Sequence, residues 1–317
     1  MAQIQLIDPA IEHPTSAEDI GISGLNLARG AGTAVSPQSA TGRCGCGCSG
    51  AANSSGDRTI VHPEYIYALG RVEPRFPTLA VEKEFAQATG RAGTAGLTDR
   101  QALHAVLSNP SNRYLARQLC WVLTIEGPET YLLKPRDPSD LDLLIGAARP
   151  APRPVDVDVV IGVRGPIAPP ELCNGLMVPI VAFDQLYSFD VDALIKAIPR
   201  PEKIDEARFA PAAEEVFARI MQLADNAGAT NEHRALNYLA VRYPAIYASA
   251  AEQFGRDSSL TAVEVRASPL SSTRTIVDVI FSYTNRNTEF TEKYCVRVDV
   301  TEEFPFLTNK LSPYFDR

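Results

Sequence analysis

Positive charge is in short supply in this chain. Thirty Lys and Arg face 38 Asp and Glu, a formal net charge of −8, and no run of Lys or Arg occurs. Counterion-release binding needs a basic face, so the charge argues against nucleic acid or an anionic membrane surface as the main partner, a small local basic groove aside. Long apolar runs are also missing. No stretch of about 18 uncharged apolar residues could span a bilayer. The opening MAQIQLIDPAIEHP lacks a basic segment followed by an apolar one, and the expected location is the cytoplasm.

Nucleotide and serine-hydrolase signatures are absent too. There is no G-x-x-x-x-G-K-[ST] loop, no G-x-G-x-x-G between a strand and a helix, and no G-x-S-x-G elbow. None of the four histidines sits where a catalytic base is announced. His104, within the first amphipathic helices, and His233, on a helix's opening turn, read as structural or surface residues. Six cysteines are too few for a disulfide scaffold, and in a reducing compartment they are expected to be free, metal-bound or reactive. Cys120, Cys173 and Cys295 lie in apolar contexts and read as small buried hydrophobes.

Apolar residues make up 45% of the chain and charged ones 21%, enough to build a large core in 317 residues. Residues 1–57 carry no sustained period, and from Gly30 to Gly56 are nearly all Gly, Ala, Ser, Thr and Pro. Such a stretch buries too little to offset its ordering entropy and reads as a disordered arm. Within it, TGRCGCGCSG alternates Cys44, Cys46 and Cys48 with glycine. C-x-C thiolates can chelate a soft metal such as zinc, but a structural site wants four ligands, and His62 or a thiol from another subunit would have to supply the last. A linker with free thiols, a redox device and a peptide-like substrate segment are the alternatives, and no cofactor is required.

From residue 58 the chain divides into a first subdomain, 58–148, and a second, 155–317, joined by the proline-rich connector RPAPRP at 149–154. In the first, YIYALGRV alternates as a strand, Thr78 caps a helix closed by Gly90, and Thr98 with Gln101 forms a capping box. Cys120–Ile125 and Thr130–Lys134 flank Gly127-Pro128 as a hairpin, and Pro138 starts a short helix. In the second, VDVDVVIGV and LMVPIVAF are strands and Val191–Ile198 a short helix. Pro211 opens a strong helix at its first position, and another from Thr230 or Asn231 is kinked by Pro244. Three alternating runs, Thr261–Arg266, Arg274–Tyr283 and Lys293–Val300, form an antiparallel meander. The fold class is therefore α+β, with helices packed against mixed and antiparallel sheets.

Two polar sets stand out. Arg71, Glu73 and Arg75 alternate in GRVEPRF, either projecting together toward an anionic group or peptide carboxylate or pairing internally at the strand-to-helix turn. Asp156 and Asp158, two apart on a strand, share one face, either as converging carboxylates or as the wet side of a half-buried strand.

The stretch YIYALGRVEPRFPTLAVEKEFAQATGR, residues 65–91, closely resembles the start of the C-terminal domain of cyanobactin maturation proteases of the patellamide type. The likeness continues through LTDRQALHAVLS, NRYLARQLCWVLTIEG, DVDVVIGVRGPIAPPELCNGLMVPIVAFDQLYSFDVDALIKAIPRPEKI, NAGATNEHRALNYLAVRYPAIY and VDVIFSYTNRNTEFTEKYCVRVDVTEEFPFLTNKLSPYFDR. Proteins of that family place a subtilisin-like protease ahead of this region, which is itself a domain of unknown function. This chain carries no Asp-x-Gly, His-Gly-Thr or Gly-Thr-Ser motif and no flavin-binding segment, so no catalytic residue carries over and it reads as a stand-alone domain. The resemblance implies a place in a modified-peptide pathway. The expectation is a non-catalytic accessory module that binds precursor peptide, a pathway enzyme or itself as a homodimer. The alternatives are an unfamiliar enzyme acting on the precursor, or a zinc or redox protein using the CGCGC segment.

Overall fold

The computed structural model describes residues 63–92, 94–150, 156–190, 192, 206–221 and 225–315. Residues 59–317 form one compact unit. Its elements are β1 Glu64–Arg75, α1 Leu79–Arg91, α2 Asp99–Leu107, α3 Arg113–Gln118, β2 Cys120–Thr124, β3 Glu129–Pro135, α4 Leu141–Ala147, β4 Val157–Ile167 and β5 Pro179–Phe189. They are followed by α5 Glu206–Met221, α6 Asn231–Arg242, α7 Ala245–Gly255, β6 Ser258–Ala267, β7 Ile276–Asn285, β8 Thr291–Asp299 and β9 Phe306–Tyr314. The class is α+β, as the patterning predicts.

The local signals hold where hydrogen bonding is local. Thr78 accepts from the Val81 N–H, and Thr98 and Gln101 make both bonds of the capping box. Thr230 caps α6 through the His233 N–H. Three details differ. Gly90 lies inside α1, which runs on to Arg91. Pro211 lies within α5 rather than at its start, because the helix begins at Glu206; the carbonyl of residue 207 therefore lacks its usual donor. Pro244 ends one helix and starts another rather than kinking a continuous one. The helix expected at 191–198 falls outside the described residues save for Asp192.

β1 to β5 close into a barrel of order β1-β2-β3-β5-β4, antiparallel except for β3 beside β5. This is the connectivity of a five-stranded Greek-key barrel of OB type, with α1–α3 inserted between β1 and β2 and α4 between β3 and β4. The barrel takes three strands from before residues 149–154 and two from after, so that segment does not separate two sheets. The expected division into 58–148 and 155–317 is corrected accordingly: chain connectivity suggested a boundary, and strand pairing runs across it. Gly162 sits at a β4–β5 register shift, where an added Cβ would lie 2.3 Å from the Ala182 carbonyl oxygen. Closure depends on that missing methyl.

The second sheet is antiparallel, β6-β7-β8-β9. Three strands were expected here. The fourth, FLTNKLSPY, carries Asn, Lys and Pro, and its own composition disguises it. Between sheet and barrel lie α5–α7. Tyr67, Leu69 and Val159 of the barrel, Val216, Leu236 and Tyr247 of the helices, and Val279, Phe281 and Val298 of the sheet share one core. A second core, around Leu107, Leu115, Trp121 and Leu144, joins the barrel to α1–α4.

Buried polar groups tie the layers. Asn237 donates to the Tyr67 carbonyl at 2.8 Å and accepts from Asn226 at 2.7 Å. The Tyr67 N–H donates to the Gly228 carbonyl at 2.9 Å. Gly228 has φ +71°, and a Cβ there would meet the Tyr67 oxygen at 2.3 Å, so both conformation and space require glycine.

Cys120 and Cys173, expected as separate buried thiols, are joined as a disulfide with their Cα atoms 6.0 Å apart. The bond pins the β4–β5 connection over the outer face of β2 and β3, where Val122, Leu132, Ala168 and Leu172 form a small third cluster. Fifty-three residues separate the pair, a distance no spacing rule anticipates. Cys295 is buried and free, and burial pushes its thiol up to about 11, so it stays protonated.

Candidate functional site

The two polar sets that the sequence presents separately meet at one end of the barrel. Asp158 on β4 pairs across with Gly70 of β1 and Ser188 of β5, placing three neighbouring strands around a shared opening. Arg71, Arg100, Arg149, Asp156, Asp158 and Asp190 line a small open cleft there.

Asp156 and Asp158 are buried rather than facing water as the wet side of a strand would. Asp158 accepts from the Val72 N–H at 2.8 Å and from the Ser188 hydroxyl at 2.7 Å. Its carboxyl is pushed above the usual range by burial, with those two hydrogen bonds and the nearby Arg100 and Arg149 pulling the other way. Both oxygens are engaged, so Asp158 acts first as a cross-strand tie.

Arg100, which nothing in its sequence context announces, organises the rim. Its guanidinium donates to the carbonyls of Arg149 at 3.0 Å and of Val72 and Ala147 at 3.3 Å, joining α2, β1 and the end of α4. It also stands 3.6 Å from Glu73. Donation to carbonyls past the last turn of α4 supplies what that helix end lacks. Arg75 turns elsewhere, gripping Glu129 of β3 with contacts of 2.7 and 2.6 Å. Of the set Arg71, Glu73 and Arg75, therefore, only Arg71 lines the cleft, Glu73 reaches its rim through Arg100, and Arg75 braces the barrel. His104 stands behind this rim, where burial and the Arg149 and Arg100 charges depress its pKa and favour the neutral ring.

A second polar cluster joins the barrel to the C-terminal sheet. Arg136 lies 3.0 Å from Asp184 and 3.9 Å from Glu303. Glu303, in the β8–β9 turn, is hydrogen-bonded to Asp184, and burial together with that neighbouring carboxyl raises it to about 7. Asp184 Oδ2 is the oxygen that faces the Arg136 guanidinium, and Glu303 Oε1 is buried without a hydrogen-bond partner among the described residues. Arg234 of α6 donates to the Val300, Glu302 and Glu303 carbonyls and stacks over Tyr65 at 5.2 Å. Burial lowers Arg234 to about 10, which still leaves it charged.

Cys44, Cys46, Cys48 and His62 lie outside the described residues. Among the described residues, no group of three or more His, Cys, Asp or Glu side chains could hold a metal ion, and no helix is long and apolar enough to cross a membrane.

Residues 203–314 match the family model described as PatG C-terminal. They run from the start of α5 through β9, that is, the helical layer and the open sheet. Among solved structures, one titled "PatG Domain of Unknown Function" is similar in fold, with a TM-score of 0.66 and 21% identity, covering 80% of this chain and 99% of that one. No curated protein matches. The chain carries a PatG C-terminal-like domain.

Proposed function

We propose that this chain is a non-catalytic accessory module that binds precursor peptide or a pathway enzyme in the making of ribosomally produced, modified peptides of cyanobactin type. The carrying observation is the cleft at the barrel end, where Arg71 and Arg149 stand beside Asp156 and Asp190. Alternating charge in a concave site suits a polar peptide segment or chain terminus, which offers both signs at short spacing. The engagement of both Asp158 oxygens favours binding over catalysis, because a general base needs an oxygen available to a substrate proton.

Titration calorimetry of the full chain against leader, core and recognition-sequence peptides and pathway enzymes tests the reading. Binding is expected, weakened at least about tenfold by Arg149→Glu. Silence with every partner at about 100 μM would sink it. Mass spectrometry of precursor incubated with the chain separates the enzymatic alternative, which requires a changed mass.

A further inference from the structure

The C-terminal sheet has two edges, and they are treated differently. β9 is defended. Its Leu311 N–H donates to the Tyr243 hydroxyl at 3.0 Å, and the strand carries Lys310 and Pro313. These are the devices by which proteins prevent unwanted strand pairing. β6 has neither Lys nor Pro in its ten residues, SSLTAVEVRA; its edge devices are the charges of Glu264 and Arg266 and a register shift at Leu260/Ala262, and among the described residues no strand or tyrosine cap covers its outer side. Thr261, Ala262, Glu264 and Ala267 are exposed along it.

We infer that β6 is a self-association edge and that its partner is β6 of a second copy of this chain. Glu264 and Arg266 lie two residues apart, so their side chains share the sheet face turned away from the helices. They already form an ion pair at 3.2 Å within the chain. In an antiparallel pairing centred on Val265, Glu264 of each copy falls opposite Arg266 of the other, Val265 meets Val265, and Val263 meets Ala267. A two-fold axis perpendicular to the sheet makes this an isologous contact, in which one patch serves both sides. The four charges then alternate in sign across the junction, and opposite charges facing across strands favour the pairing. The product is a continuous eight-stranded sheet with all helices on one side. About six residues a side is far short of the 20–30 of a standard interface, so the dimer is weak and concentration-dependent.

Light scattering on the full-length protein from about 1 to 200 μM tests this, with circular dichroism confirming that each variant is folded. The wild type is expected to move from monomer mass toward dimer mass. Glu264→Arg and Arg266→Glu are each expected to stay monomeric over the same range, since each puts like charges face to face. An equimolar mixture of the two variants is expected to dimerise again, because one then carries arginine at both positions and the other glutamate at both, so every facing pair is again of opposite sign. No effect on the fold of a single chain produces that rescue. A wild type that stays monomeric throughout, single variants that dimerise like wild type, or a mixture that stays monomeric would each overturn the inference. A monomer whose peptide binding is lost in both variants would give the edge to a peptide strand instead and overturn it equally.

Discussion

The barrel and the C-terminal sheet solve the same problem in opposite ways. Each must satisfy backbone donors and acceptors at its margins. The barrel closes on itself through the parallel β3–β5 pair and has no margin left. The sheet remains open, caps β9 with the Tyr243 hydroxyl and, among the described residues, has no strand paired to the outer side of β6. Closure also lets the barrel carry its polar cleft at one end, since strands from distant parts of the chain arrive there together. The sheet instead packs one face on the helices and keeps two edge strands. The barrel gathers charged side chains from distant segments at one end, and the sheet ends in two differently treated edge strands.

The contrast can be pressed experimentally. The largest effect is expected from Cys173→Ser, which removes the brace specific to the barrel. Closing a 53-residue loop is worth about 4 kcal/mol in the chain-entropy account, read as a lower urea midpoint for the oxidised protein. Arg234→Met acts where barrel, helices and sheet meet. It leaves the carbonyls of Val300, Glu302 and Glu303 without their donor, and a loss of about 3 kcal/mol is expected by the same measurement.

The Asp184–Glu303 pair predicts a pH dependence. The folded-state pKa of Glu303 is raised to about 7, so between the ordinary glutamate value and 7 the native state holds more protons than the unfolded chain. Stability is then greatest at acid pH and falls as pH rises through 7. Thermal scans from pH 5 to 8 should show the midpoint dropping by a few degrees, and Glu303→Gln should flatten that slope. An unchanged slope in the variant would assign the dependence to another group. Smallest is Tyr243→Phe, which strips the cap from the Leu311 N–H and brings β9 closer to β6 in character. About 1 kcal/mol is expected, seen as faster hydrogen exchange at Leu311.

Much of this architecture was legible before any coordinates. The caps at Thr78, Thr98 and Thr230, the β2–β3 hairpin around Gly127-Pro128, and the alternation of β7 and β8 all follow from interactions a few residues apart. The sequence presents Arg71, Glu73 and Arg75 as one set and Asp156 and Asp158 as another; Arg71, Asp156 and Asp158 line one cleft, Glu73 reaches its rim through Arg100, and Arg75 pairs with Glu129 instead. Arg100 and Arg149 belong to neither set, because a lone arginine in a helix's first turn and another beside prolines carry no local mark of what they will face. Glu303 was equally silent: its raised pKa comes from burial in the folded chain and from Asp184, 119 positions earlier.

Residue order alone marks most of the local elements and an α+β succession of strands and helices. It took the folded chain to decide that five of those strands close into one barrel across residues 149–154, and that Cys120 meets Cys173. Folding likewise put Arg71, Arg149, Asp156 and Asp190 around one opening, and distinguished a capped edge from an open one. The division has a physical cause. Helix caps, tight turns and side-chain periodicity are settled by hydrogen bonds and sterics within a few residues. Strand order, disulfide partners and clefts depend on contacts between segments tens to hundreds of residues apart, whose loop-closure cost is met only when the whole core forms.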